Sequence, residues 1–124
     1  DEYKRDEKVL LCGDFNVAPD ALDVWNPPAW EGHIHFSMPE RAAIHFVKQW
    51  GFTDVFRKMN GDIKEYSWWD YRAGAFQRNH GLRIDHIWTS DTLAEACAGC
   101  WIDKEPRKQE RPSDHTPVVA EFNI

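Results

Sequence analysis

Apolar positions along this chain come in short runs, broken by Pro, Gly and clusters of charge. Val9-Leu10-Leu11-Cys12 is a continuous apolar run closed by Gly13. That is the pattern of a strand buried on both faces and ending in a turn. Residues 18–35 contain Pro19, Pro27, Pro28 and Gly32 and read as loop. Ser37-Met38-Pro39-Glu40 has the form of a helix start: Ser37 caps, Glu40 completes a capping box, and Pro39 sits in the first turn. Ala43, Phe46, Val47 and Trp50 follow at i, i+3, i+4 and i+7, one apolar stripe, and Gly51 supplies the stop. Phe52 to Phe56 shows no clear period. Tyr66-Ser67-Trp68-Trp69 predicts a short strand, and Arg72 to Asn79 a polar loop. Leu82-Arg83-Ile84-Asp85-His86-Ile87-Trp88 alternates apolar and polar residues, predicting a half-buried strand. Thr89 to Ala96 predicts a short helix capped by Ser90 or Asp91, residues 103–112 are charged and irregular, and Pro117 to Phe122 predicts a closing strand. The expected class is α/β (α+β), with several strands and about two helices.

A length of 124 residues fits one domain, and the segment holds no internal linkers or repeats. Apolar residues make up 42% and charged residues 29%, the balance of a globular protein rather than a disordered one. No apolar run approaches the roughly 20 residues of a membrane span. The opening Asp1-Glu2-Tyr3-Lys4-Arg5 has neither an initiator Met nor a signal-peptide pattern, so the chain is expected to be a segment of a longer cytoplasmic protein. Cys12, Cys97 and Cys100 make no disulfide framework. Cys97-Ala98-Gly99-Cys100 has zinc or redox spacing but lacks two further ligands, so all three cysteines are expected to be buried free thiols. The net charge of -6 speaks against nucleic acid until its distribution is considered. Residues 1–56 carry 5 basic against 10 acidic side chains, residues 57–111 carry 10 against 9. An acidic site that collects a divalent cation also lowers the net charge without repelling phosphate once the metal is bound.

Two short motifs carry candidate chemistry: Gly13-Asp14-Phe15-Asn16 and Ser113-Asp114-His115. Each places carboxylate, amide or imidazole groups beside an apolar run, and open α/β sheets put their chemistry at such strand ends. Asp85 is an acid inside a strand, where Asp is disfavoured. Hard cations take oxygen ligands, which makes Asp14, Asn16 and Asp114 candidates for direct or water-mediated Mg²⁺ contacts. His115 can hydrogen-bond a phosphoryl oxygen, and a carboxylate such as Asp85 can fix its tautomer and favour its charged form. His33-x-His35, in a Pro-rich loop without further ligands, is expected to be structural.

These blocks, with Tyr66-Ser67-Trp68-Trp69-Asp70-Tyr71-Arg72 and Asn79-x-Gly81-Leu82-Arg83-Ile84-Asp85 between them, give the chain a resemblance along its whole length. It resembles the C-terminal half of exodeoxyribonuclease III-type apurinic/apyrimidinic endonucleases, within the endonuclease/exonuclease/phosphatase superfamily. The resemblance implies the C-terminal half (residues 1–124) of a four-layer α/β sandwich, with one mainly antiparallel mixed sheet flanked by helices. It implies Asp14, Asn16, Asp85 and His115 as catalytic residues, with either Asp14 or His115 as the base. It implies a Mg²⁺ site, Mn²⁺ being a substitute, at Asp14, Asn16, Asp114 and His115. Trp68, Leu82 and Ile84 match the apolar pocket for a flipped abasic deoxyribose, where the absent base makes extrusion cheap, and Arg72 and Arg83 are candidate phosphate contacts. The implied substrate is double-stranded DNA with abasic sites or 3′ ends, the implied partner the protein's own N-terminal half, and the implied state a bacterial, nucleoid-associated monomer. That half supplies a metal-binding Glu, phosphate-binding Asn residues, a Tyr and the second sheet. Without it, the segment is expected to expose an apolar sheet face and to be inactive. Two rivals remain: another phosphohydrolase of the superfamily, acting on a phospholipid or inositol phosphate, and a non-catalytic DNA-binding module.

Overall fold

Strand β5 (Asp85–Thr89) is the axis on which the rest of the chain is hung. The computed structural model describes residues 7–72, 74–110 and 112–124. In it β5 lies between β1 (Leu10–Asp14) and β2 (Thr53–Asp54), antiparallel to both. β3 (Trp68–Trp69) pairs with β4 (Gly81–Leu82), and β6 (Cys97–Ile102) with β7 (Val118–Phe122), again antiparallel. Four helices complete the order: α1 (Pro27–Trp30), α2 (Met38–Trp50), α3 (Val55–Asn60) and α4 (Asp91–Glu95). The mixed α/β class with antiparallel strands is as expected, but the strands fall into three hydrogen-bonded groups rather than one sheet. Among the described residues no helix is long and apolar enough to cross a membrane.

Helix α2 starts and stops as its sequence dictates. The Ser37 hydroxyl accepts from Glu40 N–H, the Glu40 carboxylate accepts in return from Ser37 N–H, and Gly51 closes the helix at φ +122°. Its buried stripe is rotated from the predicted one. Ile44, Val47 and Trp50 pack with Phe52 and Trp88, while Ala43 and Phe46 face solvent. Within residues 18–35, α1 and a 3-10 turn at Ala21–Asp23 replace uniform loop.

The predicted strand over 82–88 is broken in two. Arg83 N–H donates to the Asp23 carbonyl, and the N–H groups of Ile84 and Asp85 both donate to the Ser67 hydroxyl, 3.1 and 3.0 Å away. These three donors leave the strand ladder and separate β4 from β5. The segment is buried on both faces rather than one. Gly81 is required here because a Cβ would lie 2.6–2.8 Å from Trp69 Nε1, Tyr66 Cβ and the Trp68 carbonyl oxygen.

Burial of Arg83 is what makes two-sided burial feasible. Only 1% of its side chain is exposed, and it is held by two carboxylates. Its Nε donates to Asp23 at 2.6 Å, one terminal nitrogen donates to Asp54 at 3.1 Å, and the other also reaches Asp54. Arg57 reaches the same Asp23 oxygen and donates to the Gly61 and Ile63 carbonyls. Burial works against the Asp54 charge, but the Arg83 guanidinium outweighs it and holds Asp54 below the usual carboxylate range. Arg83 is therefore an internal strut. The candidate phosphate contact is corrected: its guanidinium is fully engaged with acids and out of contact with solvent.

Strand β1 forms as predicted, but its residues are exposed, Leu10 at 41% and Leu11 at 38%. It lies at the edge of its sheet, paired with β5. Cys12 is likewise exposed, against the expectation of buried thiols. Cys97 is half-buried, and burial pushes the Cys100 thiol up to about 12.

Removing one partner from a buried charge cluster leaves the others uncompensated, at a typical cost of about 3–5 kcal/mol. Arg83→Met is expected to lower unfolding free energy by about that amount in urea denaturation. A loss under about 1 kcal/mol would show that Asp23 and Asp54 need no buried cation.

Candidate active site

The β1–β5 register sets Asp14 directly opposite Asp85. Gly13, at φ +138°, lets β1 run into its terminal turn, a conformation that disfavours any side chain. Asn16 follows at φ 56°, a left-handed geometry that Asn tolerates. Its N–H donates to the Asp14 carboxylate at 2.9 Å, and its carbonyl accepts from His35 Nδ1 at 2.8 Å. His35 also lies against Trp68, with ring centroids 5.8 Å apart.

The third arm arrives from the far end of the chain. Trp68 bridges to His115, Trp69 N–H donates to the Asp114 carbonyl, and Thr116 N–H donates to the Ser67 carbonyl. The Ser113 hydroxyl accepts from His115 N–H, closing a tight turn. These bonds bring His115 Nδ1 to 2.9 Å from Asp85 Oδ2, with Nε2 at 3.6 Å from Asp14 and 3.9 Å from Asp114. The Trp68 indole N–H donates to the other Asp114 oxygen at 3.0 Å. Ligating atoms of Asp14, Asp85 and His115 all lie within 4.8 Å of one another. They border an open cleft of about 560 Å³ whose walls include Cys12, Ile87, Pro117 and Val118.

Electrostatics tie these groups into one unit. Burial raises Asp85 above the ordinary carboxylate range, opposed by hydrogen bonds from His115 and Ser67 and reinforced by the charge of Asp14. Burial disfavours the His115 cation, yet the hydrogen bond and charge of Asp85, with Asp14 and Asp114, raise its pKa above 6.5. The imidazole is therefore biased toward its charged form. His86, one residue from Asp85, is the opposite case. Burial and the Arg83 charge lower it to about 4, and it stays neutral, accepting from the Trp88 indole and donating to the Arg83 carbonyl.

The remaining predicted residues divide. Asp14, Asn16, Asp85, Asp114, His115 and Trp68 assemble at one place. Leu82 and Ile84 are 0% and 1% exposed, in a core with Ala18, Val24 and Phe36, with Trp30 and Trp68 packed against it. Among the described residues, neither borders the cleft at Asp14 and His115. Arg72 is exposed at 87% and paired with Asp70. Ser67 belongs to no sequence motif of the site, yet it is fully buried and hydrogen-bonds on both sides of the Asp85 junction. A small hydroxyl flanked by bulky aromatics was its one signal.

A raised His115 pKa gives stability that is fully present below about 6.5, the unfolded value, and lost as pH rises through the folded one. In metal-free buffer the His115 Cε1–H resonance is expected to titrate above 6.5, and Asp85→Asn to move it down. A wild-type midpoint at or below 6.5 would contradict the pairing.

Comparison with known proteins bears on this arrangement. The profile of the Endonuclease/Exonuclease/phosphatase family matches residues 1–115. Exodeoxyribonuclease III of Haemophilus influenzae is 40% identical over 128 aligned residues, which cover 98% of this chain and 48% of that protein. An exodeoxyribonuclease of Bacillus subtilis is 40% identical, with 99% and 48% covered. The chain thus spans about half the length of the curated relatives it matches. Among solved structures, a 3′ phosphatase from Neisseria bound to a product DNA hairpin superposes with TM-score 0.92 at 44% identity, covering 94% of this chain and 46% of that one. An AP endonuclease from Archaeoglobus fulgidus gives 0.93 at 37% identity, covering 99% and 48%. With its strand-end acids and imidazole carried on the same framework, the chain belongs to the endonuclease/exonuclease/phosphatase family.

Proposed function

We propose that the protein carrying this chain is a DNA-repair phosphodiesterase that uses a divalent cation, Mg²⁺ with Mn²⁺ as a substitute. It hydrolyses the phosphodiester 5′ to abasic sites and processes 3′ ends as a 3′→5′ exonuclease and 3′-phosphatase. The observation that carries the reading is the convergence of Asp14, Asp85 and His115 at strand ends, their ligating atoms within 4.8 Å. The names of its relatives, exodeoxyribonuclease III and AP endonuclease, support the DNA substrate.

The donors fit a hard cation. Asp14 and Asp114 offer carboxylate oxygens close to His115, and Asn16, whose N–H donates to Asp14, carries a carboxamide two residues on; Mg²⁺ takes one or two carboxylates and fills the remaining positions from water and phosphate. When bound, the ion stabilises charge on the phosphoryl oxygens. Asp85 accepts a hydrogen bond from His115 Nδ1–H and so points Nε2 toward Asp14 and Asp114. Protonated, Nε2 donates to a phosphoryl oxygen; unprotonated, it competes with Asp14 to take a proton from the attacking water.

One observation favours 3′-end processing over abasic incision. Leu82 and Ile84 are buried, in a core against which Trp30 and Trp68 pack, so an abasic sugar reaches them only if that packing opens. A 3′-terminal phosphate needs no such pocket.

In the full-length protein, Asp14→Ala and His115→Ala are each expected to cost about 10³-fold or more in Mg²⁺-dependent hydrolysis, with the fold retained by circular dichroism. Near-normal turnover in either would defeat the assignment. Release of a 3′-phosphate is expected to outpace incision at an abasic site; the reverse order would mean that the Leu82–Ile84 core opens. Assayed alone beside the full-length protein, this segment is expected to show little or no incision of abasic duplex. Comparable turnover would show that residues 1–124 complete the site.

A further inference from the structure

Beside Trp68 lies a second cavity of about 390 Å³. Trp25, Trp30, Trp68 and His80 line it, with Asp70 and Arg72 among its lining side chains. All four rings are half-buried, which leaves ring surface open to a ligand. Trp25 and His80 are already stacked on each other, centroids 3.8 Å apart and planes within 6°, so they form a rigid double layer. We propose that this cavity binds an unpaired nucleobase of the DNA strand whose phosphate is hydrolysed, a proposal that rests on the phosphodiesterase reading above.

Three observations select a base over other parts of DNA. Indole faces are stacking platforms for any base, because every base offers a π-face; a deoxyribose offers none. The cations that would draw a phosphate are neutralised, since Arg72 donates to Asp70 from two nitrogens, at 3.0 and 2.8 Å. That pair presents both donors and acceptors with no net charge, which suits the hydrogen-bonding edge of an uncharged heterocycle. Finally, Trp68 donates its indole N–H to Asp114. A base in the cavity is therefore one side chain from the reacting phosphate, the separation expected of a neighbouring nucleotide.

The test uses the protein with a 3′-phosphorylated duplex strand carrying 2-aminopurine at the terminal or the penultimate nucleotide, in EDTA to prevent turnover. Binding is expected to quench the fluorescence several-fold at one of the two positions. Trp25→Ala should abolish the quenching, and Trp25→Phe should restore it. With Mg²⁺, Trp25→Ala should raise KM about tenfold for a strand with a base at that position and much less for one that is abasic there. Quenching that is indifferent to Trp25, or an equal change in KM for both strands, overturns the pocket. Trp25-dependent quenching without hydrolysis of any strand supports the pocket and removes the phosphodiesterase reading. Absence of binding removes both.

Discussion

The antiparallel register of β1 on β5 is the constraint on which the site depends. It sets Asp14 opposite Asp85, two acids whose charges repel at the close spacing of paired strand residues. A slip of one residue would turn every side chain of β1 to the opposite face and separate them. The register is held by more than strand hydrogen bonds. Val9 N–H donates to the Ser90 hydroxyl at one end, and Phe15 N–H to the Ile84 carbonyl at the other. His115 then enters between the acids, and its partial charge offsets the repulsion that the register creates. The imidazole is as much a consequence of the pairing as a reagent.

Charge elsewhere in the chain is used in a different way. Arg83, two residues before Asp85, is wholly internal, and so is its partner Asp23. Such a cluster contributes little net stability relative to an apolar core, but it tolerates few alternative arrangements. It joins the 3-10 turn at Ala21–Asp23, the N-terminus of α3 through Asp54, and the β4–β5 junction. The chain thus places one set of charges where solvent and substrate reach them, and another where only the fold does. Neutral His86 lies between the two.

Much of this was legible in the residues. The capping box at Ser37 and Glu40, the strand at 9–12, and the two terminal motifs all follow local rules, and local rules survive in the structure. Asp85 in a strand signalled a site because nothing local favours it there. What could not be read depended on contacts distant in sequence. The identical apolar run Val9 to Cys12 gives a buried or an exposed strand according to what covers it. Alternation over 82–88 looked like one half-buried strand because the pattern does not reveal that Asp23 and Asp54 would accept Arg83 into the interior. Helix α2 buries Ile44 instead of Phe46 since Phe52 and Trp88, remote from it in pattern, set which side is inward. β6 was unread: Cys97 to Ile102 holds two Ala/Gly positions that weaken any strand signal.

Trp68 has two edges with separate duties. One edge ends in an N–H that fixes an Asp114 oxygen, and the ring itself walls the neighbouring cavity. Few substitutions preserve both. Phe keeps a flat ring but loses the donor, freeing the carboxylate to rotate; His keeps a donor but not the breadth of the wall. Position 68 is therefore a place where natural variation should be narrow even though the side chain touches no reacting atom. A change in what the cavity accepts would reach the acid through the tilt of a single ring.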